Sequence, residues 1–104
     1  MKTYHGGRTA TEPSVWVEQG TTRHPLPHVG NHSPTGFNWG YGGSGPADLA
    51  LSLLVNALGH RRQADTGPLY QEFKWAVVAH LPDEWSLTPQ DILDWVRQQQ
   101  ELSL

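Results

Sequence analysis

The sequence contains no cysteine among its 104 residues. This absence excludes a disulfide scaffold, a thiolate zinc site and a cysteine nucleophile, and it fits a reducing cytosol. The chain also has no apolar run of about 18 residues, the length that a membrane-spanning helix needs. The N-terminal MKTYHGG lacks the apolar segment of a signal peptide. We therefore expect a cytoplasmic protein with no membrane partner.

Positive charge is scarce as well. The 7 Lys and Arg residues are outnumbered by 10 Asp and Glu residues, which gives a formal net charge of −3 with His neutral. A protein that binds DNA or RNA normally presents a basic face to the phosphates. The charge balance therefore disfavours nucleic acid as a partner.

The composition differs between the two halves of the chain. Residues 1–45 hold nine of the 11 Gly and four of the six His, whereas residues 46–104 hold most of the Leu, Ala, Gln and Asp. The length matches one domain of ordinary size. We predict a single domain over residues 1–104, in which strands and loops of residues 1–45 pack against the helical residues 46–104. The predicted class is α+β, with a small antiparallel sheet in the N-terminal half and three helices in the C-terminal half.

Three segments of the first half are typical of strands. Residues 2–5 and 15–17 are rich in aromatic and β-branched side chains. Residues 37–41 alternate large aromatic with small or polar residues, which predicts a strand with its aromatic rings on one face.

Proline and glycine mark the ends of the helices in the second half. Pro46 suits the first position of a helix and Gly59 suits its end. A second helix is predicted to open at Pro68 and to stop before Pro82. Thr88 is predicted to cap a third helix.

The segment richest in functional signals is residues 36–45, which contain five glycines ahead of the first predicted helix. In such a turn the backbone N–H groups can converge on an anion, and the helix dipole favours its negative charge. Hydroxyl, aromatic and basic side chains are needed to complete a site of this kind. The candidate ligand-binding residues are His32, Ser33, Thr35, Gly36, Trp39, Tyr41, Gly42, Gly43, Ser44 and Gly45, together with Arg8 and Arg23.

Two known phosphate-binding motifs fit this segment poorly. Gly40-x-Gly42-x-x-Gly45 matches the dinucleotide fingerprint, and Asp65 follows 20 residues after its last glycine. That motif requires a strand after the helix, whereas a second helix follows here. A P-loop is excluded because no Lys follows the glycines. A tight strand-to-helix turn without a ligand stays open as an alternative.

Five Trp and three Tyr are many for a chain of this size. Trp39 and Tyr41 border the glycine segment, where they could stack on a base or pack on the sheet. Trp75, Trp85 and Trp95 lie in the helical half, and we expect them in the core.

The histidines do not form a recognisable metal or catalytic motif. His24, His28 and His32 recur every four residues, but the prolines between them exclude the helix that would make this spacing a metal face. We therefore predict no metal site and no cofactor. The hydroxyls have no identified base, so the sequence favours a protein without catalytic activity. An enzyme that uses His5 or His32 as a general acid–base group stays open.

The segment HSPTGFNWGYGGSGPADLALSLL, together with YQEFK and the N-terminal YHGGR, resembles a family of small proteins of unknown function from bacteria, archaea and phages. The resemblance extends over nearly the whole chain. It implies no reaction and no catalytic residues. It implies a setting of phages and mobile elements, in which small proteins sequester nucleotide immune signals in the host cytoplasm.

These observations favour binding and sequestration of a phosphate-bearing nucleotide, either ADP-ribose-like or cyclic, as a phage counter-defence sponge would do. Because so small a chain encloses a nucleotide poorly, we expect a homo-oligomer that shares the walls of the pocket. One alternative is an inhibitor that binds a host defence complex through Trp16, Trp39 and Tyr41. Another is a small nucleotide hydrolase that uses His5 or His32 with an arginine.

Overall fold

The computed structural model describes residues 1–8, 12–30, 33, 36–59 and 69–102. Within these residues the strands are β1 (Lys2–Arg8), β2 (Pro13–Gln19), β3 (Thr22–Pro25) and β4 (Trp85–Leu87). The α-helices are α1 (Ser44–Leu58), α2 (Leu69–Ala76) and α3 (Pro89–Leu102), and a 3-10 turn spans Val78–His80. An antiparallel sheet in the N-terminal half with three helices in the C-terminal half confirms the predicted α+β class.

The strands form one sheet in the order β3-β2-β1-β4, and all neighbours are antiparallel. β1 pairs along its whole length with β2, residues 2–8 lying opposite residues 13–19. The other side of β1 pairs with β4, where Tyr4 lies opposite Leu87. The sheet therefore takes one edge strand from the C-terminal half, which the sequence analysis did not predict.

One face of the sheet forms the core with the helices. Tyr4 on β1 and Val15 and Val17 on β2 alternate along their strands and are buried. α1 lies deepest, because every residue from Gly45 to Leu54 is buried. A helix that is covered on all sides in this way belongs in the middle of the fold.

The predicted end of α1 at Gly59 is confirmed, whereas its start lies two residues before the predicted first position, Pro46. The helix begins at Ser44, and Pro46 stands in its first turn. It ends at Leu58, after which Gly59 adopts a left-handed conformation with φ 86° and donates its N–H to the Val55 carbonyl at 2.9 Å.

The predicted cap of α3 is also present. The Thr88 hydroxyl accepts a hydrogen bond from the Asp91 backbone N–H at 3.1 Å. In return the Asp91 carboxylate accepts one from the Thr88 N–H at 2.9 Å. This reciprocal pair is a capping box with Asp in place of the usual Glu or Gln.

Two predictions about aromatic residues are wrong. Residues 37–41 do not form a strand, because Gly40 has φ 86° and turns the chain so that its N–H bonds to the Val78 carbonyl. Trp75 is not a core residue, since 57% of it is exposed. Trp85 is buried as predicted, and the half-buried Trp95 packs edge-on against Phe73.

The second helix is shorter than predicted. α2 ends at Ala76, and the 3-10 turn replaces its last turn before Pro82. The predicted start at Pro68 lies outside the described residues.

Candidate functional site

A cavity of about 420 Å³ lies at the N-terminus of α1. Residues of the glycine segment form most of its wall, and residues at the start of β2 form the rest. The described lining residues are Glu12, Pro13, Val15, Ser33, Gly36, Phe37, Asn38, Tyr41, Ser44 and Gly45. Five of the predicted ligand-binding residues are therefore brought together here: Ser33, Gly36, Tyr41, Ser44 and Gly45.

The first turn of α1 gives this end of the cavity a positive electrostatic character. Gly43 is the N-cap residue, and no described side chain caps the helix there. Ser44 is exposed, and the first turn contains no acidic residue. The free N–H groups and the helix dipole together favour an anion at this position. Glu12 also lines the cavity and disfavours an anion beside it.

Arg8 fixes the position of the glycine segment, so its guanidinium is already engaged. One nitrogen lies 2.6 Å from the Asp83 carboxylate, and the other donates to the Asn38 side chain at 2.9 Å and to the Trp39 carbonyl at 2.5 Å. The guanidinium also lies 4.5 Å from the centre of the Trp39 ring. The structure therefore gives Arg8 a positioning role in place of the predicted ligand contact.

Trp39 is an anchor in the core, and the predicted stacking role for it is wrong. Its side chain is fully buried and meets Trp85 edge-on, with ring centres 5.7 Å apart. Its indole N–H donates to the Pro82 carbonyl at 2.8 Å. A buried ring with a satisfied N–H has no face left for a ligand.

Close packing explains the glycine at position 45. An added Cβ at Gly45 would lie 2.9 Å from the Cβ of Asn38 and 3.1 Å from its backbone nitrogen. The loop and the start of α1 can touch only because this residue has no side chain.

Arg23, Gly42 and Gly43 do not line this cavity, although they were predicted as ligand-binding residues. Arg23 lies on β3, 4.8 Å over the Trp16 ring and 3.8 Å from the Glu18 carboxylate. It lines a separate cavity of about 490 Å³ that includes Trp16. His32 and Thr35 lie outside the described residues.

A histidine–aspartate pair beside the cavity was not predicted. His28 Nε2 lies 2.7 Å from Oδ2 of Asp48, and Asp48 is fully buried on α1. The same oxygen accepts a hydrogen bond from the Ser33 N–H at 3.0 Å. The imidazole stacks on Phe37 with ring centres 4.5 Å apart. The pair therefore connects two residues of the cavity wall, Ser33 and Phe37, to α1.

The sequence carried one signal for this pair. Asp48 stands in a helical segment that is otherwise apolar and small, and a carboxylate there requires a buried partner. The choice of His28 over the other histidines could not be made from spacing, because the partners are 20 residues apart.

Two exposed aromatic rings flank the turn that residues 41–43 form. Tyr41 is 50% exposed, lines the cavity and lies against Gly43. Trp75 at the end of α2 lies over Gly42, where an added methyl group would overlap the indole. Trp75 was expected in the core because it lies in the helical half of the chain.

No group of three or more His, Asp or Glu side chains suited to a metal ion occurs in the part of the chain that the structure describes. None of the described helices is long and apolar enough to cross a membrane.

The fold and the site define a two-layer α+β protein with a polar cavity at the N-terminus of its buried helix. Residues 4–98 match the model of a family of unknown function, DUF6166, and the chain belongs to this family. Comparison with curated proteins and with solved structures gives no match.

Proposed function

We propose that the protein binds a phosphate-bearing nucleotide in the cavity at the N-terminus of α1 and holds it without turnover. The observation that carries this proposal is the convergence of Ser44, Gly45 and Tyr41 on one cavity. The uncapped helix end suits a phosphate, and the exposed ring of Tyr41 suits a base or a sugar. The volume of about 420 Å³ lies within the range of small-molecule sites.

Sequestration is the mode of action that we propose for this binding. A sponge for ADP-ribose-like or cyclic nucleotide signals, acting in the cytoplasm of a phage-infected host, needs a site that binds and releases its ligand intact. The cavity offers backbone donors and hydroxyls, which bind phosphate, and these groups do not by themselves break bonds.

The test is calorimetric titration of the Ser44→Asp variant with ADP-ribose and cyclic di-AMP. A carboxylate at the start of α1 suits the helix dipole, by about 0.3–1 kcal/mol, but repels a phosphate. We expect a folded, slightly stabilised variant that no longer binds either ligand. Ser86→Asp adds the same charge at an exposed residue of β4 and should bind like the wild type. Unchanged binding by Ser44→Asp, or no binding by the wild type, would overturn the proposal.

The pair His28–Asp48 favours a nucleotide hydrolase as the second candidate. A buried carboxylate that orients an imidazole is a common arrangement in acid–base catalysis. Incubation of excess ADP-ribose with the protein, followed by chromatography, separates the two functions. Intact ligand is the expected result, whereas multiple turnovers that His28→Ala abolishes would establish the hydrolase.

The exposed rings of Tyr41 and Trp75 favour a third candidate, a protein that inhibits a host complex by binding to its surface. Of the predicted anchors, Tyr41 is 50% exposed. Trp39 is buried and is not available, and Trp16 is half-buried with Arg23 over its ring. Such an inhibitor would copurify with a protein partner and release no nucleotide.

A further inference from the structure

Trp75 presents an unusually exposed indole next to the proposed site. It lies at the end of α2, and 57% of it is exposed. Its six-membered ring rests on Gly42, the second residue before the start of α1. A large aromatic side chain is commonly buried when nothing else requires it at the surface. The position of Trp75 over the glycine turn therefore calls for a partner that stacks.

Lys74, the neighbouring residue, has its ammonium over the Trp75 ring. The residue is only 8% exposed, and its ammonium lies 4.4 Å from the centre of the Trp75 ring. Arg8, Arg23 and Arg97 each lie near a carboxylate, and Lys2 donates to Asn56. Among the described Lys and Arg residues, Lys74 alone takes part in no hydrogen bond or ion pair. The buried part of Lys74 is its apolar stem, whereas its ammonium keeps contact with solvent and is accessible to an anionic ligand.

The turn that Trp75 contacts lies next to the proposed phosphate position. Gly42 beneath Trp75 and Ser44 at the cavity are two residues apart, so their Cα atoms are at most about 7.6 Å apart. One nucleotide can bridge this distance with its base at one end and its phosphate at the other.

We infer that Trp75 and Lys74 complete the nucleotide site. The solvent-exposed part of the indole takes the base by stacking, and the Lys74 ammonium neutralises part of the phosphate charge. This inference rests on the proposed function and adds its specificity: the site selects a phosphate ligand that carries an aromatic base. Phosphate compounds without a base lose the Trp75 contact and bind less tightly.

The experiment compares two probes, ADP-ribose and pyrophosphate, which share the phosphates but differ in the base. Three variants are titrated with both: Trp75→Ala, Lys74→Met, which keeps the apolar stem, and Arg97→Met as the control. Arg97 is exposed on α3, and its replacement removes the same charge. Quenching of tryptophan fluorescence by ADP-ribose gives a second readout, because a stacked base quenches an indole; since the chain has five Trp, the quenching assigned to Trp75 is the part that Trp75→Ala loses.

Trp75→Ala should bind ADP-ribose about 10- to 100-fold more weakly, the range expected for loss of one stacked base. Its affinity for pyrophosphate should not change. Lys74→Met should weaken both probes, and Arg97→Met neither.

Failure of the inference differs from failure of the proposed function. If Trp75→Ala and Lys74→Met bind ADP-ribose like the wild type while Ser44→Asp does not, the inference is overturned and the proposal of nucleotide binding in the cavity is retained. If wild-type protein binds neither ADP-ribose nor pyrophosphate, both are overturned.

Discussion

Arg8 and Lys74 show how the surroundings of a charged residue determine its role. Arg8 is paired with Asp83 and bonded to the Asn38 side chain and the Trp39 carbonyl, so it positions the glycine segment. Lys74 has only the Trp75 ring beside its ammonium. The sequence favoured Arg8 as the ligand contact because position alone cannot show which cation is already paired.

Asp48 is predicted to be the residue that holds the cavity wall to α1. Its replacement by Ala would leave His28 and the Ser33 N–H without their acceptor. Loss of a buried acceptor costs about 1–3 kcal/mol, so Asp48→Ala should lower the free energy of unfolding by that amount in urea denaturation. Asp94→Ala removes an exposed carboxylate on α3 and should change it by less than about 0.5 kcal/mol. Equal effects of the two variants would contradict the assigned role.

Tyr4 makes the protein sensitive to alkaline pH. Its ring is fully buried, its hydroxyl donates to Asn56 at 2.7 Å, and burial raises its pKa from 10.0 to about 12. As the pH rises, Tyr4 loses its proton in the unfolded chain before it does so in the folded protein. The contribution of Tyr4 to the free energy of unfolding is therefore complete below pH 10 and is lost as the pH rises towards 12. Denaturation measured across this window should show falling stability that is weaker in Tyr4→Phe. An identical slope in both proteins would show that Tyr4 is not responsible.

At the scale of the elements, the glycine segment packs closely against the start of α1. Gly45→Ala should lower the free energy of unfolding by about 1–3 kcal/mol, because its methyl group meets Asn38 backbone and Cβ atoms. Gly43→Ser places a good N-cap residue where only the exposed ring of Tyr41 has to move. The free energy of unfolding of Gly43→Ser should differ from that of the wild type by less than about 0.5 kcal/mol. Thermal unfolding of both variants checks the difference, and equal losses would contradict the packing argument.

Local sequence signals predicted the helices better than the strands. α1 and α3 carry their own signals in Pro46, Gly59 and Thr88, so the end of α1 and the start of α3 could be placed without tertiary information, and the start of α1 to within two residues. β4 has only three residues and forms because β1 offers an edge to pair with. The alternation of residues 37–41 resembles a strand, but the positive φ of Gly40 redirects the chain.

The candidate site was predicted only in part, because local sequence signals can be recognised in the chain and tertiary contacts cannot. The glycine segment and the N-terminus of α1 are local features, and five of the predicted residues line one cavity. Trp75 contacts Gly42 and His28 contacts Asp48 through tertiary packing, which periodicity along the chain does not report. Trp75 was expected in the core because it lies in the helical half, but it lies over a glycine turn and 57% of it is exposed.

For the protein as a whole, the prediction of a homo-oligomer concerns how the site is enclosed. Tyr41 and Trp75 are each about half exposed, and a second copy could supply the missing wall. Light scattering at micromolar concentration should give at least twice the chain mass of 11.6 kDa. A monomer mass throughout that range would contradict a shared pocket, and nucleotide binding would then take place in one chain.

Mass spectrometry of the small molecules released from the protein tests nucleotide sequestration most directly. The protein is purified from cells that contain its natural ligands and is then denatured by heat. We expect an intact phosphate-bearing nucleotide from the wild type and from Ser86→Asp, and none from Ser44→Asp. Release of a hydrolysed product, or of no nucleotide from any of the three proteins, would contradict the proposed function.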